Sequence, residues 1–298
     1  MKLLTYLHQG AERVGAHIPG DAALLVDLQH AAALRGLESR PFDSMPGLIS
    51  SGKRHWDRAA ELVLRPPEES LIQLGEVELL APLPRPVRMR DFSAFEAHGA
   101  AAGSIPEAWY RLPLYYKVNT LSIVGPDAVV RWPEGSREVD YELEAAVVLG
   151  TGGRGLSATE VASGIFGYTV FNDYSARDWQ WEEITCPLGP SRSKDFDGAN
   201  VLGPCIATPD EVEDFYNLPM IARVNGEEWS RGSTSSMYHR FEDMIATLSE
   251  SETLVAGEVF GSGTVGSGCG FELGRYPKRG DRIELEIEKI GTLRSAVI

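Results

Sequence analysis

Asp140-Tyr141-Glu142-Leu143-Glu144-Ala145-Ala146-Val147-Val148-Leu149-Gly150 is the stretch whose reading decides the fold. A run of apolar, partly β-branched residues bounded by glycine reads as a buried strand over 141–149. Side chains alternate along a strand, so Glu142 and Glu144 share a face, with Cα atoms about 7 Å apart. Leu143 points to the other face. Two readings of the pair stand open: a solvated strand face, or two carboxylates whose repulsion a cation relieves. Oxygen ligands of this kind suit Mg²⁺, Mn²⁺ or Ca²⁺ better than a structural Zn²⁺.

Outward from this segment the chain is rich in strand and turn signals. Residues 165–172 read as a second strand, and Asn225-Gly226 as a hairpin turn between 220–224 and 227–230. Residues 283–290 alternate Ile283, Leu285, Ile287 with Glu284, Glu286, Glu288, one buried face of a strand. Residues 238–251 carry Phe241, Met244, Ile245 and Leu248 at helical spacing. Three prolines within 81–86 interrupt regular structure. They set an expected boundary between a small N-terminal α/β domain, 1–80, and a catalytic domain, 81–298. The class expected is mainly β, of α+β type.

Composition narrows the function. The 298 residues hold 43 Asp+Glu against 28 Lys+Arg, a formal charge of −15. Such a surface disfavours nucleic acid, whose phosphates need clustered cations. It also disfavours an anionic membrane, and no apolar run nears membrane-spanning length. The start, MKLLTYLHQGAERVGAHIPGD, reads as mature cytoplasmic protein. Cys186, Cys205 and Cys269 form no disulfide or metal pattern. Cys186, near the acidic segments in sequence, is expected to be a small buried thiol.

Three more segments carry chemistry. In Phe171-Asn172-Asp173-Tyr174-Ser175-Ala176-Arg177-Asp178-Trp179-Gln180, a strand ends at Asp173 and a helical turn can start there. Asp173, Arg177 and Gln180 would then share a helix side, or Asp173 could simply cap the turn with Arg177 as its ion-pair partner. Arg90-Asp91-Phe92-Ser93-Ala94-Phe95-Glu96-Ala97-His98 offers an acid and an imidazole. Gly261, Gly263 and Gly266 satisfy GxGxxG, but no βαβ unit surrounds them and a further strand is expected next. The glycines instead suit tight turns or close backbone approach. GxSxG, HExxH and GxxxxGK[ST] are all missing from the sequence.

In order along the chain, Asp91…His98, Leu112-Pro113-Leu114-Tyr115-Tyr116-Lys117, Asp140-Tyr141-Glu142-Leu143-Glu144, Asn172-Asp173-Tyr174-Ser175-Ala176-Arg177-Asp178, Leu188-Gly189-Pro190 before Ser193-Lys194, and Gly263-Thr264 before Glu272 resemble the fumarylacetoacetate hydrolase family. The similarity spans about residues 85–297. It implies a β-sandwich roll, commonly dimeric. It implies one divalent cation, Mg²⁺ or else Mn²⁺ or Ca²⁺, held by Asp91, Glu142, Glu144 and Asp173. His98 would be the general base, held by Glu272. Arg177, Gln180 and Lys194 would line the reacting centre, and Tyr116 and Thr264 would contact a small anionic oxo acid.

The reaction implied first is hydrolysis of a C–C bond in a 1,3-diketo acid, as in aromatic-compound catabolism. His98 would activate water, and the metal would stabilise the departing enolate. The second is decarboxylation, isomerisation or dehydration of a 2-oxo acid such as oxaloacetate. Ala101 stands where many family members of the second kind carry a glutamate, and Asp91 is an aspartate they usually lack. Both features favour hydrolysis. Ser93 and Ile184-Thr185-Cys186 replace tyrosines that grip fumarylacetoacetate, so the substrate is expected to differ.

Overall fold

The computed structural model describes residues 1–186 and 189–298, so Leu188 of the loop motif lies outside the described residues. The β-rich run around Glu144 becomes the strand Leu143–Leu149, buried along its whole length. It sits inside a long sheet between Ile165–Asp173 and Val259–Gly261. Beyond the first neighbour come Asn200–Ala207 and then the N-terminal strands Lys2–His8, Ala11–Ile18 and Asp21–Asp27. Beyond the second come Met89–Phe92 and Tyr115–Lys117. The N-terminal strands join through Leu3 opposite Ile206. A second sheet orders Glu227–Ser233, Pro219–Val224, Arg282–Ile287, Gly291–Val297 and Ala128–Val130. The fold is thus strand-rich α+β.

Burial on both faces explains the unbroken apolar run. Leu143, Ala145, Val147 and Leu149 pack with Met220, Ala222, Ile283, Leu285 and Ile287 of the second sheet. The helix Phe241–Ser251 adds Phe241, Met244, Ile245 and Leu248 to that core. Ala146 and Val148 face the other way, against Leu3, Val14, Val26 and Phe166. Glu142 and Glu144 share the parity of Ala146 and Val148. They are 3% and 0% exposed, which removes the solvated-face reading.

Several local expectations change. Asp173 ends its strand but caps no helix: Ser175–Ala176 pairs with Val139–Asp140 before a helix starts at Arg177. The helix expected from 238 begins at Phe241, because the amides of Tyr238 and His239 both donate to the Ala94 carbonyl. The strand expected beyond the glycines is a single helical turn, Gly270–Leu273, whose free Gly270 and Phe271 amides donate to Asp140. Cys186 is exposed, while Cys205 and Cys269 are buried.

One buried charge network pins the strand Met89–Phe92. Arg90 donates to Glu258 at 2.6 Å and to Glu252 at 2.7 Å, and Arg88 joins both acids. Arg90 and Glu258 are almost wholly buried. Removing one partner leaves a charge stranded in low dielectric. Arg90→Met should therefore lose about 3–5 kcal/mol of stability, measured by urea unfolding. The strand that presents Asp91 should loosen with it.

Candidate metal and acid–base site

Register alone brings three acids together. Glu144 lies opposite Phe171, two residues from Asp173. Ala146 lies opposite Gly261, and Gly261 opposite Asp91 in a parallel pair. Carboxylate oxygens of Asp91, Glu144 and Asp173 then lie within 4.8 Å of one another. The glycines make this approach possible. A side chain at Gly261 would collide with the Asp91 carboxylate, and one at Gly263 with the Phe92 carbonyl. The Gly263 amide donates to Asp91 at 3.0 Å and to Glu144 at 3.1 Å. Close backbone approach, one of the two uses expected for these glycines, is what they provide.

Glu142 takes a different share. Arg177 Nη1 sits 2.7 Å from one oxygen and Lys194 Nζ 2.8 Å from the other. Lys194 also donates to Asp173, whose same oxygen accepts from Tyr116 at 2.6 Å. Thr264 donates to Glu144 at 3.3 Å. Arg177 is fixed from behind by Asp140 at 2.9 Å, and its Nη1 donates to the Gln180 carbonyl oxygen at 2.7 Å. The Gln180 amide nitrogen is left as a donor. Arg177 and Gln180 do share a helix, Arg177–Glu183, but Asp173 is not on it.

Five buried carboxylates (Asp91, Asp140, Glu142, Glu144 and Asp173) face two buried cations, Arg177 and Lys194. Burial pushes Asp91 up to about 7, with Asp173 adding to it. Burial likewise raises Asp173 to about 6 despite the opposing Lys194. Glu144 is also pushed well above its usual range, through burial and then Asp91. Burial opposes ionisation of Glu142 too, but Lys194 and Arg177 outweigh it and hold this carboxyl far below the usual range. Asp173 Oδ1 has no hydrogen-bond partner. An oxygen-only set with excess negative charge and an orphaned lone pair fits a hard divalent cation.

The acid–base pair borders this set. His98 lies on the short helix Glu96–Ala101, with Nδ1 3.4 Å from Glu272 Oε2. Glu272 also accepts from the Gly268 amide at 3.0 Å and is held below the usual range, burial being outweighed by His98. A cleft of about 940 Å³ is lined by Asp91, His98, Tyr116, Glu142, Glu144, Gln180, Lys194 and Thr264 among others. Asp173, Arg177 and Glu272 stand behind that lining. Sequence reading gave no role to Asp140, which joins Arg177 to the turn bearing Glu272, or to Cys269, whose thiol is 3.4 Å from Glu272. Asp140 could have been suspected from its place at the head of the acidic motif. Cys269 gave no such signal.

Two outcomes follow from these charges. Glu144→Gln should weaken Mn²⁺ binding roughly 100-fold or more, beyond what loss of an outer partner costs, whereas His98→Ala should leave it unchanged; titration calorimetry reads both. The raised carboxyls also set a pH dependence. Their folded pKa values, about 6 and about 7, exceed the unfolded 3.8. Protonation therefore favours the folded chain; that stabilisation is complete below about 3.8 and is lost progressively as pH rises to 6–7. Without divalent ions, thermal stability should fall over this range, and Mg²⁺ should restore more of it at pH 8 than at pH 5.

Residues 88–298 match the fumarylacetoacetate (FAA) hydrolase C-terminal family. A human protein named oxaloacetate tautomerase FAHD2A, mitochondrial, is 36% identical over 227 residues, 75% of this chain and 70% of the relative. The oxaloacetate tautomerase YisK of Bacillus subtilis is 30% identical over 293 residues, 92% and 95% of the two chains. Among solved structures, a fumarylacetoacetate hydrolase from Exiguobacterium antarcticum superposes with TM-score 0.78 at 29% identity, covering 100% of this chain and 99% of the other. A putative HpcE protein from Mycobacterium smegmatis gives 0.82 at 27%, with the same coverage. No described helix is long and apolar enough to cross a membrane. The chain is an enzyme of the fumarylacetoacetate hydrolase family.

Proposed function

We propose that the protein moves a proton on a small 2-oxo acid of the oxaloacetate type, interconverting its enol and keto forms. The observation that carries this reading is the His98–Glu272 pair set beside the buried acids on one cleft. Relatives at 30–36% identity bear the name oxaloacetate tautomerase, which favours this over C–C hydrolysis. Asp91, Glu144 and Asp173 would hold a divalent cation, with Glu142 as a fourth oxygen donor. When bound, Mg²⁺ withdraws electron density from the substrate's 2-oxo group and stabilises the charge of the enolate.

The chain's own groups supply the rest. Glu272 orients His98 through Nδ1 and leaves Nε2 to exchange a proton with the substrate. The ring accepts a proton at one substrate atom and returns one at another, with no net consumption. Lys194 has a third ammonium proton beyond those given to Glu142 and Asp173. That proton and the Gln180 amide can donate to oxygen as negative charge grows there. Ser93 already accepts from Trp109 at 3.2 Å. Trp109 therefore stands beside the position where a tyrosine would grip a longer diketo acid, which suits a compact substrate.

The test is spectroscopic. Freshly dissolved enol-oxaloacetate, followed by its ultraviolet enol band, should ketonise faster with the Mg²⁺-loaded enzyme than in buffer. His98→Ala should slow this by about 10²–10⁴-fold without changing metal affinity. A panel of acylpyruvates run in parallel decides the rival: cleavage to pyruvate with no acceleration of ketonisation would establish hydrolysis instead.

A further inference from the structure

Beside the hard-oxygen set lies a second, softer group of donors. Cys269, Glu272 and His98 each offer one atom, all within 4.8 Å of one another. Cys269 Sγ and His98 Nδ1 are each 3.4 Å from the same oxygen, Glu272 Oε2. Zinc bonds of 2.0–2.3 Å arranged tetrahedrally place neighbouring ligand atoms roughly 3.4–3.6 Å apart. These two contacts therefore already match edges of a zinc tetrahedron. His98 Nδ1 is buried and has no hydrogen-bond partner. Its 3.4 Å contact to Glu272 is a charge contact that orients the ring without closing a hydrogen bond. A thiol, an imidazole and a carboxylate suit a borderline-soft ion, not Mg²⁺.

We infer that Cys269, Glu272 and His98 form an inhibitory site for Zn²⁺ or a similar borderline-soft divalent ion, separate from the carboxylate set. The cleft would supply water as the fourth ligand, since His98 lines it. Binding displaces one proton from the Cys269 thiol to solvent. The Gly268 amide, which donates to Glu272 at 3.0 Å, would steady the carboxylate in either state. The chain supports this geometry locally. Cys269 and Glu272 are three residues apart at the start of the single turn Gly270–Leu273, and the amides of that turn are tied to Asp140.

The consequence for turnover rests on the proton-transfer reading above. A neutral imidazole bound to metal through Nδ1 carries its proton on Nε2. No lone pair is then left on Nε2 to accept a proton, so His98 can no longer act as base. Excess Mg²⁺ should not relieve this inhibition, because the two ions prefer different donor sets.

Co²⁺ serves as a visible stand-in for Zn²⁺, added to full-length protein kept in excess Mg²⁺. One equivalent should bind with a thiolate-to-cobalt charge-transfer band in the near ultraviolet. Cys269→Ser should abolish the band and Cys205→Ser should keep it. Glu272→Gln should weaken Co²⁺ binding roughly 100-fold, and this variant decides the matter if Cys269→Ser does not fold. No band, a band surviving Cys269→Ser, or unchanged affinity in Glu272→Gln would each overturn the site. Glu144→Gln, which disables the hard-oxygen set, should retain the band. The band needs no turnover, so it stands or falls apart from the proposed reaction. In an enol-oxaloacetate assay, micromolar Zn²⁺ should inhibit at any Mg²⁺ concentration, and relief by Mg²⁺ would overturn the inhibitory role.

Discussion

Like charges held together out of water are the constraint on which this structure depends. Asp91, Glu144 and Asp173 come from three strands, with Glu142 one residue ahead of the central one, and they converge where the effective dielectric is low. The cost of gathering them is met unevenly. Lys194 and Arg177 hold Glu142 ionised, whereas Asp91 and Glu144 lean only on a backbone amide and a hydroxyl. That imbalance makes the site receptive to a hard cation. The sheet must be rigid to maintain it, which is why the central strand is packed on both faces and its neighbours register without slack at Glu144 and Ala146.

The same economy of space explains the small residues nearby. Gly263 holds a positive φ of 76° and carries its amide to two carboxylates at once. Any other residue would bear a strained backbone there as well as a clash. Gly270 meets Asp140 in a similar way. Asp140 is therefore the hinge between the two halves of the chemistry. One of its oxygens accepts from Arg177 and the Phe271 amide, the other from the Gly270 amide, ahead of Glu272.

Local pattern carried much of this fold. Alternation and apolar continuity located the strands around Glu144 and Ile283, and Asn225-Gly226 located a hairpin whose turn residues both have positive φ. What failed had distant causes. The helix start at Phe241 depends on the Ala94 carbonyl, far away in sequence. The end of the Asp173 strand depends on pairing with Val139–Asp140. The burial of Glu142 and Glu144 depends on layers contributed by the N-terminal strands. The Arg90–Glu258 pair joins residues 168 apart. Cys269 was silent because a lone cysteine has meaning only beside the partners that folding brings to it.

Donor accounting decides which cations in the site remain free for a substrate. Arg177 spends Nε on Asp140 and Nη1 on Glu142 and Gln180; only Nη2 is without a partner, and that atom is buried. It therefore acts mainly by fixing Glu142 and turning Gln180 so that its amide nitrogen faces outward. Lys194 gives two of its three protons to Glu142 and Asp173, and its ammonium also lies 5.5 Å from the Tyr116 ring centroid. One proton remains, on a side chain that lines the cleft. An anionic substrate entering a protein of charge −15 thus gains little from the surface field. Its attraction must be short-ranged, from Lys194, Gln180 and a cation that the acids would hold. Binding and chemistry then draw on the same few groups.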